Sequence, residues 1–280
     1  MERWPWPAPA KINLFLHILG RREDGYHELQ TVFQFLSRCD LLYFKPRHDG
    51  AIHRSSELPG VEPTADLVVR AAQLLQKASG TRLGVDISVE KQLPLGGGLG
   101  GGSSDAATTL VALNRLWRLG WTGEALASLG LKLGADVPIF VYGQAAWAEG
   151  VGEQFTPMVL DEPWYLVVQP KCAISTAQIF ADPALTRNTP AIKILNFDLD
   201  KVRNDCEPLV TARYPEVGEA LDWLRQRGNG RLSGTGSCVF SRYETELQAR
   251  KALASLPEGW KGFVAKGLNR SPLLERSDLL

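Results

Sequence analysis

Val89-Glu90-Lys91-Gln92-Leu93-Pro94-Leu95-Gly96-Gly97-Gly98-Leu99-Gly100-Gly101-Gly102-Ser103-Ser104-Asp105 is the stretch on which the reading of this chain turns. Six glycines in seven residues leave almost no Cβ atoms, so the backbone can take positive φ repeatedly and press against a ligand. Just before it, Val85, Ile87 and Val89 alternate with polar residues, the period of a half-buried strand. Just after it, Ala106, Leu110, Leu113 and Trp117 recur at i, i+4, i+7 and i+11 along one helix face. Ser103, Ser104 and Asp105 are residue types that cap helix N-termini, so the helix is expected to start there. A strand, a glycine loop and a capped helix start turn free N–H groups and the positive end of the helix dipole toward the loop, a geometry that favours phosphate.

Two other phosphate loops fit this stretch poorly. A Walker A loop needs Lys and then Ser or Thr after its last glycine, and here Ser103 follows Gly102 directly. Gly96-x-Gly98-x-x-Gly101 matches a dinucleotide fingerprint. The second strand that this fingerprint requires after its helix is replaced by Leu119-Gly120-Trp121-Thr122-Gly123, a turn. A flexible linker is the bland alternative, and linkers are not bracketed by a strand and a helix start.

With 280 residues, 44% hydrophobic and 22% charged, the chain has room for one large domain or two moderate ones. Its 31 basic and 31 acidic residues balance, which argues against nucleic acid or a membrane surface as partner. Cys39, Cys172, Cys206 and Cys238 form no CxxC pair and are expected to be buried small hydrophobes. The histidines show no HExxH spacing, so no zinc ligand set is visible. No apolar run approaches a membrane span and the first residues lack a signal-peptide core, so the expectation is a cytoplasmic protein.

Ahead of the loop, Ile12, Leu14, Leu16 and Ile18 alternate with Lys11, Asn13, Phe15 and His17, which predicts a strand presenting Lys11 and Asn13 together. Taken alone, such a polar face is more often the solvated side of an edge strand. Residues 20–25 form a turn with Tyr26 and His27 at its exit; 29–35 and 41–44 predict two further strands, and 45–63 a loop or irregular hairpin. Helical spacing recurs at 67–78 and 124–133. In Gly134-Ala135-Asp136-Val137-Pro138, Asp136 sits at a sharply shaped junction, where it either caps the next turn or serves chemistry. A strand is predicted at 145–149, and a boundary at Asp161-Glu162-Pro163 gives domains 1–160 and 161–280. Beyond it come a strand at 164–168, a short helix at 175–180, a polar loop at 184–196 and helices at 205–212 and 217–227. A second glycine loop, Ser233-Gly234-Thr235-Gly236-Ser237, precedes a helix at 245–256 and a strand at 262–266. Trp164, Trp223, Leu221 and Leu224 are assigned to the core. The order predicts an α+β protein with an antiparallel sheet in its second half.

Pro9-Ala10-Lys11-Ile12-Asn13-Leu14, the loop from Pro94 to Ser104 and the 233–237 loop resemble, in that order, the three motifs of the GHMP small-molecule kinases. Gly25-Tyr26-His27, Gly134-Ala135-Asp136-Val137-Pro138, Asn204-Asp205 and Gly267-Leu268-Asn269 resemble the branch whose acceptor alcohol carries a cytidine diphosphate group. The resemblance spans residues 9 to about 270. It implies a two-domain GHMP kinase fold, with a ribosomal protein S5 domain 2-like N-terminal half and a ferredoxin-like C-terminal half. It also implies an enzyme that uses ATP and Mg2+ to phosphorylate a small alcohol, working as a monomer or weak homodimer. By the same resemblance, Asp136 orients the acceptor hydroxyl and takes its proton, with Lys11 beside it. The nucleotide is held by Lys91, Pro94, Leu95, Gly96, Gly97, Gly98, Leu99, Gly100, Gly101, Gly102, Ser103 and Ser104. The substrate is held by Asn13, Tyr26, His27, Thr176 and Phe180, with Tyr26 and His27 set for the cytosine. The motifs name no magnesium ligand.

Three alternatives stay open at this point. The 233–237 loop either binds phosphate or packs against the first loop. The enzyme could be a GHMP kinase for mevalonate, homoserine or galactose, against which Tyr26-His27 argues. It could also be a nucleotide-binding module without catalysis, against which the presence of both Lys11 and Asp136 argues.

Overall fold

The computed structural model describes residues 5–56 and 65–278. β1 (Trp6–Arg21) and β2 (His27–Arg47) form a long antiparallel hairpin whose turn carries Gly25 at φ +88°. The two strands expected at 29–35 and 41–44 are thus one strand of 21 residues. Its polar middle, Ser37-Arg38-Cys39-Asp40, stays in the ladder because Asp40 is buried on an ion pair from a later segment instead of turning to water. β3 (Ile52–Arg54) forms where a loop or irregular hairpin was expected and runs parallel to β4, and residues 45–47 of that stretch belong to β2; residues 57–63, with Pro59 and Pro63, lie outside the described residues.

α1 (Leu67–Ser79) is capped by Asp66, which accepts from Val68 N, and stopped by Gly80 in the left-handed region. β4 (Gly84–Glu90) leads through the glycine loop into α2 (Gly101–Leu116). α3 (Gly123–Leu131), α4 (Val137–Tyr142), β5 (Ala146–Glu149) and β6 (Gln154–Pro157) follow. Then come β7 (Trp164–Gln169), α5 (Thr176–Ala181), α6 (Glu207–Arg213), α7 (Pro215–Arg225) and β8 (Arg231–Leu232). β9 (Val239–Tyr243), α8 (Glu246–Ala254), β10 (Lys261–Leu268) and α9 (Pro272–Asp278) end the described chain. β6 and α9 escape the sequence reading because one is short and mostly solvent-facing and the other barely two turns long.

Among the described residues every ladder except β3–β4 is antiparallel, and the strand path β3-β4-β2-β10-β7-β9-β8 runs through both halves. β10 makes the join: it pairs with β7 along its length and with β2 at Gly267 and Leu268. Ala71, Leu75, Ile87, Leu110 and Leu113 pack α1 and α2 under the first-half strands, and Leu273 of α9 returns to this core. Leu16 and Ile18 of β1 instead enter the second-half core with Leu166, Val210, Leu221 and Leu224. Trp164 and Trp223, assigned to the core from their spacing, are only partly buried. Cys206 and Cys238 are buried, with their thiols pushed up to about 12 by burial, while Cys39 and Cys172 are partly exposed.

β1 pairs on one side with β2, and its other edge is where later segments dock. Lys11 N donates to Leu99 O of the glycine loop (3.0 Å), Leu16 N to Arg203 O (3.1 Å), and Asn13 N to Ser233 Oγ (3.4 Å). Ile18 N donates to the buried carboxylate of Asp205 (2.8 Å). The solvated-edge alternative for Lys11 and Asn13 fails for this reason: the edge is covered by the loops it holds.

Candidate active site

After Glu90 the chain loops through Gly96, Gly98 and Gly100 at φ +65°, +71° and +71°. α2 begins at Gly101, with Gly100 as a left-handed N-cap that makes no side-chain cap bond. Ser103, Ser104 and Asp105 therefore lie inside the helix instead of capping it, which corrects the expected start. A glycine at positive φ makes the turn that a capping side chain would brace, so the helix starts sooner. Ser104 N bonds to Gly100 O at 2.8 Å, and the amides of Gly101, Gly102 and Ser103 ahead of it are the free donors of the helix end. Leu95 is exposed and Leu99 buried; a Cβ added at Gly97 would run into Cys238 Sγ, one at Gly101 would touch Leu93 and Lys91, and one at Gly102 would touch Leu67.

The second glycine loop is hydrogen-bonded to the first. Ser233 Oγ donates to Gly98 O (2.9 Å), and the amides of Ser237 and Cys238 donate to Gly96 O (3.4 Å) and Gly97 O (3.1 Å). Of the two readings left open for this loop, packing is the one its bonds describe. Asn204 braces it from behind, donating to the carbonyls of Leu232 and Gly234.

Lys11 is 2% exposed and reaches from β1 into the junction between the loops. Its Nζ donates to Asn13 Oδ1 (2.6 Å) and Gly98 O (3.3 Å), lies 3.4 Å from Asp136 Oδ2, and sits 5.2 Å from the centre of the Phe33 ring. A buried ammonium requires such partners. Asn13 Nδ2 donates in turn to Thr31 Oγ1 (2.9 Å), whose hydroxyl donates to Phe15 O. The Asn13 amide is thus oriented by, and engaged with, its own protein. Asp136 immediately precedes α4; its side chain is 39% exposed, lines the cleft and makes no cap bond. Pro138 sits in the first turn of α4, where its missing N–H costs little. The capping alternative for Asp136 does not survive this geometry.

Lys91, expected at the nucleotide, is held below the loop by two carboxylates. Its Nζ donates to Asp40 and, at 2.8 Å, to Asp105 Oδ2. Asp40 also accepts the amides of Gln92 (2.5 Å) and Leu93 (2.8 Å), so it ties β2 to the stem of the glycine loop. Burial pushes the Asp105 carboxyl up, to about 7, with Lys91 opposing and Asp40 adding to the rise. Burial also disfavours the Lys91 charge, but Asp105 and Asp40 more than offset it and hold that ammonium above its ordinary value. A carboxyl raised on folding binds its proton more tightly in the folded state. Its contribution to stability therefore falls as pH rises from its ordinary 3.8 to about 7. Asp105→Asn is expected to remove that slope, so its stability relative to wild type should rise with pH over this range. Asp40→Ala, which leaves two amides unpaired and Lys91 with Asp105 alone, should cost about 3–5 kcal/mol. Urea unfolding across about pH 5 to 8 checks both; equal losses in the two variants would contradict the assignment.

The far side of the same cleft is aromatic. Tyr26 is 59% exposed and His27 only 6%. The His27 ring stacks on Phe180 with centroids 5.1 Å apart, and Arg187 Nε donates to His27 Nε2 at 3.0 Å. Thr176 and Thr235 share a hydrogen bond of 2.9 Å that links α5 to the second glycine loop. The cleft that collects these groups has a volume of about 560 Å³ and is lined by Lys11, Asn13, Gly98, Ser103 and Asp136 as well as by Tyr26, His27, Thr176 and Phe180. Sequence reasoning missed Arg187, Asp40 and Thr31. Arg187 falls in the stretch read as polar loop, and Asp40 in what looked like a break between strands.

Among the described residues no helix is long and apolar enough to cross a membrane, and no group of three or more His, Cys, Asp or Glu side chains is arranged to hold a metal ion. A glycine cradle at a helix start, beside a buried lysine and an accessible carboxylate, defines a site for phosphoryl transfer. Residues 66–144 match the GHMP kinases N-terminal domain and residues 186–262 the GHMP kinases C-terminal domain. The chain belongs to the GHMP kinases and is a small-molecule kinase of that ATP-dependent family. It is 58% identical to a 4-diphosphocytidyl-2-C-methyl-D-erythritol kinase of Halorhodospira halophila, over 98% of this chain and 96% of that protein. It is 57% identical to the enzyme of the same name from Pseudomonas paraeruginosa, over 98% and 97%. A crystal structure of a 4-(cytidine 5'-diphospho)-2C-methyl-D-erythritol kinase superposes with a TM-score of 0.81 at 34% identity, covering 93% of this chain and 98% of that one.

Proposed function

We propose that this chain transfers the terminal phosphoryl group of ATP to the 2-hydroxyl of 4-diphosphocytidyl-2-C-methyl-D-erythritol, giving the 2-phosphate and ADP, a step of non-mevalonate isoprenoid precursor biosynthesis. One observation carries the reading: a single cleft holds both the Lys11–Asp136 pair and the Tyr26–His27–Phe180 aromatic group. The first suits a reacting hydroxyl and the second suits a base. Residues 1–160 supply the nucleotide loop and the reacting pair; residues 161–280 supply Thr176, Phe180 and the second glycine loop. All of these groups come from one chain, so a monomer or weak homodimer suffices.

The residues present fit a magnesium-bound triphosphate. Ser103 lines the cleft beside the free amides of α2, and the buried Ser104 Oγ behind it has no hydrogen-bond partner. In such sites Mg2+ is held largely by phosphate oxygens and water; when bound, it neutralises charge on the transferring group. Asp136 orients the acceptor hydroxyl and takes its proton. A carboxylate is a weak base at neutral pH, so orientation is the larger part of its work. Lys11 places a fixed positive charge beside the reacting oxygens in a site that is already desolvated. Its bonds to Asn13 and Gly98 O hold it there without reorganisation.

The turn before Tyr26 is closed by backbone bonds, Arg22 N to Tyr26 O (2.8 Å) and Gly25 N to Arg22 O (3.1 Å), so the Tyr26 ring is not needed to shape it. Stacking of a base on such a ring is typically worth about 1–3 kcal/mol. Tyr26→Ala is therefore expected to lower kcat/KM roughly ten- to a hundredfold. A coupled assay of ADP release, with the full substrate, with methylerythritol phosphate and with no acceptor, tests the whole reading. Turnover should need the cytidine-bearing compound, because remote binding energy holds the hydroxyl in line. Equal turnover of the base-free compound would remove the cytidine pocket and the substrate assignment with it.

A further inference from the structure

His27 and Phe180 stack 28° from parallel on the cleft wall, and a residue outside the family motifs holds both. Arg187 Nε donates to His27 Nε2 at 3.0 Å, its Nη2 donates to the carbonyls of Phe180 (2.9 Å) and Asp182 (2.6 Å), and its Nη1 to that of Leu185 (3.1 Å). A guanidinium has only donors and keeps its charge at any working pH. Nε2 of His27 must then be the bare, accepting nitrogen, and the neutral ring carries its proton on Nδ1. A second proton, on Nε2, would face the arginine's own N–H. Burial, with the charges of Arg187 and Arg21 adding to it, holds His27 below its usual pKa and keeps the ring neutral. Among the described residues Nδ1 has no hydrogen-bond partner, and it is not sealed from solvent.

We infer that Arg187 is a positioning residue that locks His27 as its Nδ1–H tautomer, giving the aromatic wall one fixed N–H donor that selects a pyrimidine with an accepting N3 (cytosine) over one whose N3 carries a proton (uracil). The selection rests on the placing of the base at Tyr26, His27 and Phe180 proposed above; the tautomer does not. The ring alone cannot discriminate. Released from Arg187, the imidazole can move its proton to Nε2 and offer a lone pair at Nδ1, which complements the uracil edge. Both bases would stack equally well on Tyr26 and Phe180, so the direction of one hydrogen bond decides between them. An unmatched buried donor pair is a strong discriminator.

The test combines long-range proton–nitrogen spectra of the His27 ring in the full chain with kcat and KM for the cytidylyl and uridylyl forms of the substrate. Wild type should show a bare Nε2, a protonated Nδ1 and a preference for the cytidylyl form. Arg187→Gln, whose amide can donate or accept, should populate both tautomers. Its preference, as a ratio of kcat/KM values, should fall about tenfold or more, mainly through KM. Arg187→Lys, a donor with no acceptor, should keep the tautomer and most of the preference. A wild-type proton on Nε2 overturns the lock. So does an Arg187→Gln variant that melts earlier yet keeps tautomer and preference, since Arg187 would then be only a staple for its loop. If wild type shows the inferred tautomer but turns over both forms equally, the placing of the base has failed, and the selection falls with it.

Discussion

Asp136→Asn is expected to lower kcat by at least about two orders of magnitude while leaving nucleotide binding close to that of wild type. Asp136 makes no cap bond to α4 and its side chain is partly exposed, so the loss of stability should be confined to its ion pair with Lys11, which Asn13 Oδ1 and Gly98 O continue to hold. What it removes is the acceptor for the hydroxyl proton and the negative partner of Lys11 at 3.4 Å. Lys11→Met is expected to do comparable harm to kcat, with some loss of stability as well, because Asn13 Oδ1 loses its donor and Gly98 O keeps only Ser233 Oγ. The double variant should be little worse than either single one, since the two groups act on the same proton and the same oxygen. Steady-state kinetics, a nucleotide titration and a melting curve on all three variants check this. Near-normal turnover by Asp136→Asn would return the residue to a local backbone role.

Gly98→Ala is expected to weaken nucleotide binding and to lower kcat/KM by roughly a hundredfold, the scale of an ångström-sized misplacement of the reacting groups. Gly98 has φ +71°, and a Cβ there would fall on Ser233 O and lie 3.0 Å from Gly236 O. Both obstacles are backbone, so the first glycine loop must move away from the second, carrying with it the Gly98 carbonyl that Lys11 and Ser233 bond. Gly96→Ala is the control. Gly96 has the same left-handed φ but nothing within 4 Å of the added methyl, so only the conformational strain of about 1–2 kcal/mol applies. Nucleotide titrations on both folded variants separate the causes. Equal losses would mean that backbone freedom, not contact between the loops, is what these glycines supply.

The sequence by itself determined the local units. Alternation at Val85, Ile87 and Val89 became β4, helical spacing from Ala106 onward became α2, and the glycines between them are the loop. Lys11 and Asn13 were legible as neighbours on one strand face because a period of two is a property of adjacent residues. The resemblance of three motifs in order then supplied the family and the cleft residues. The tertiary structure alone decided how distant groups are paired. The helix start moved to Gly101 because a left-handed glycine, and not Ser103 or Asp105, turns the chain. β2 stayed continuous through Arg38-Cys39-Asp40 because Asp40 meets Lys91, 51 positions away. Arg187 reached His27 across 160 positions from a stretch that reads only as polar loop. Hydrophobic periodicity reports which face of an element is buried. It carries no record of which charge will satisfy a buried partner, since that choice is made only when folding removes both from water.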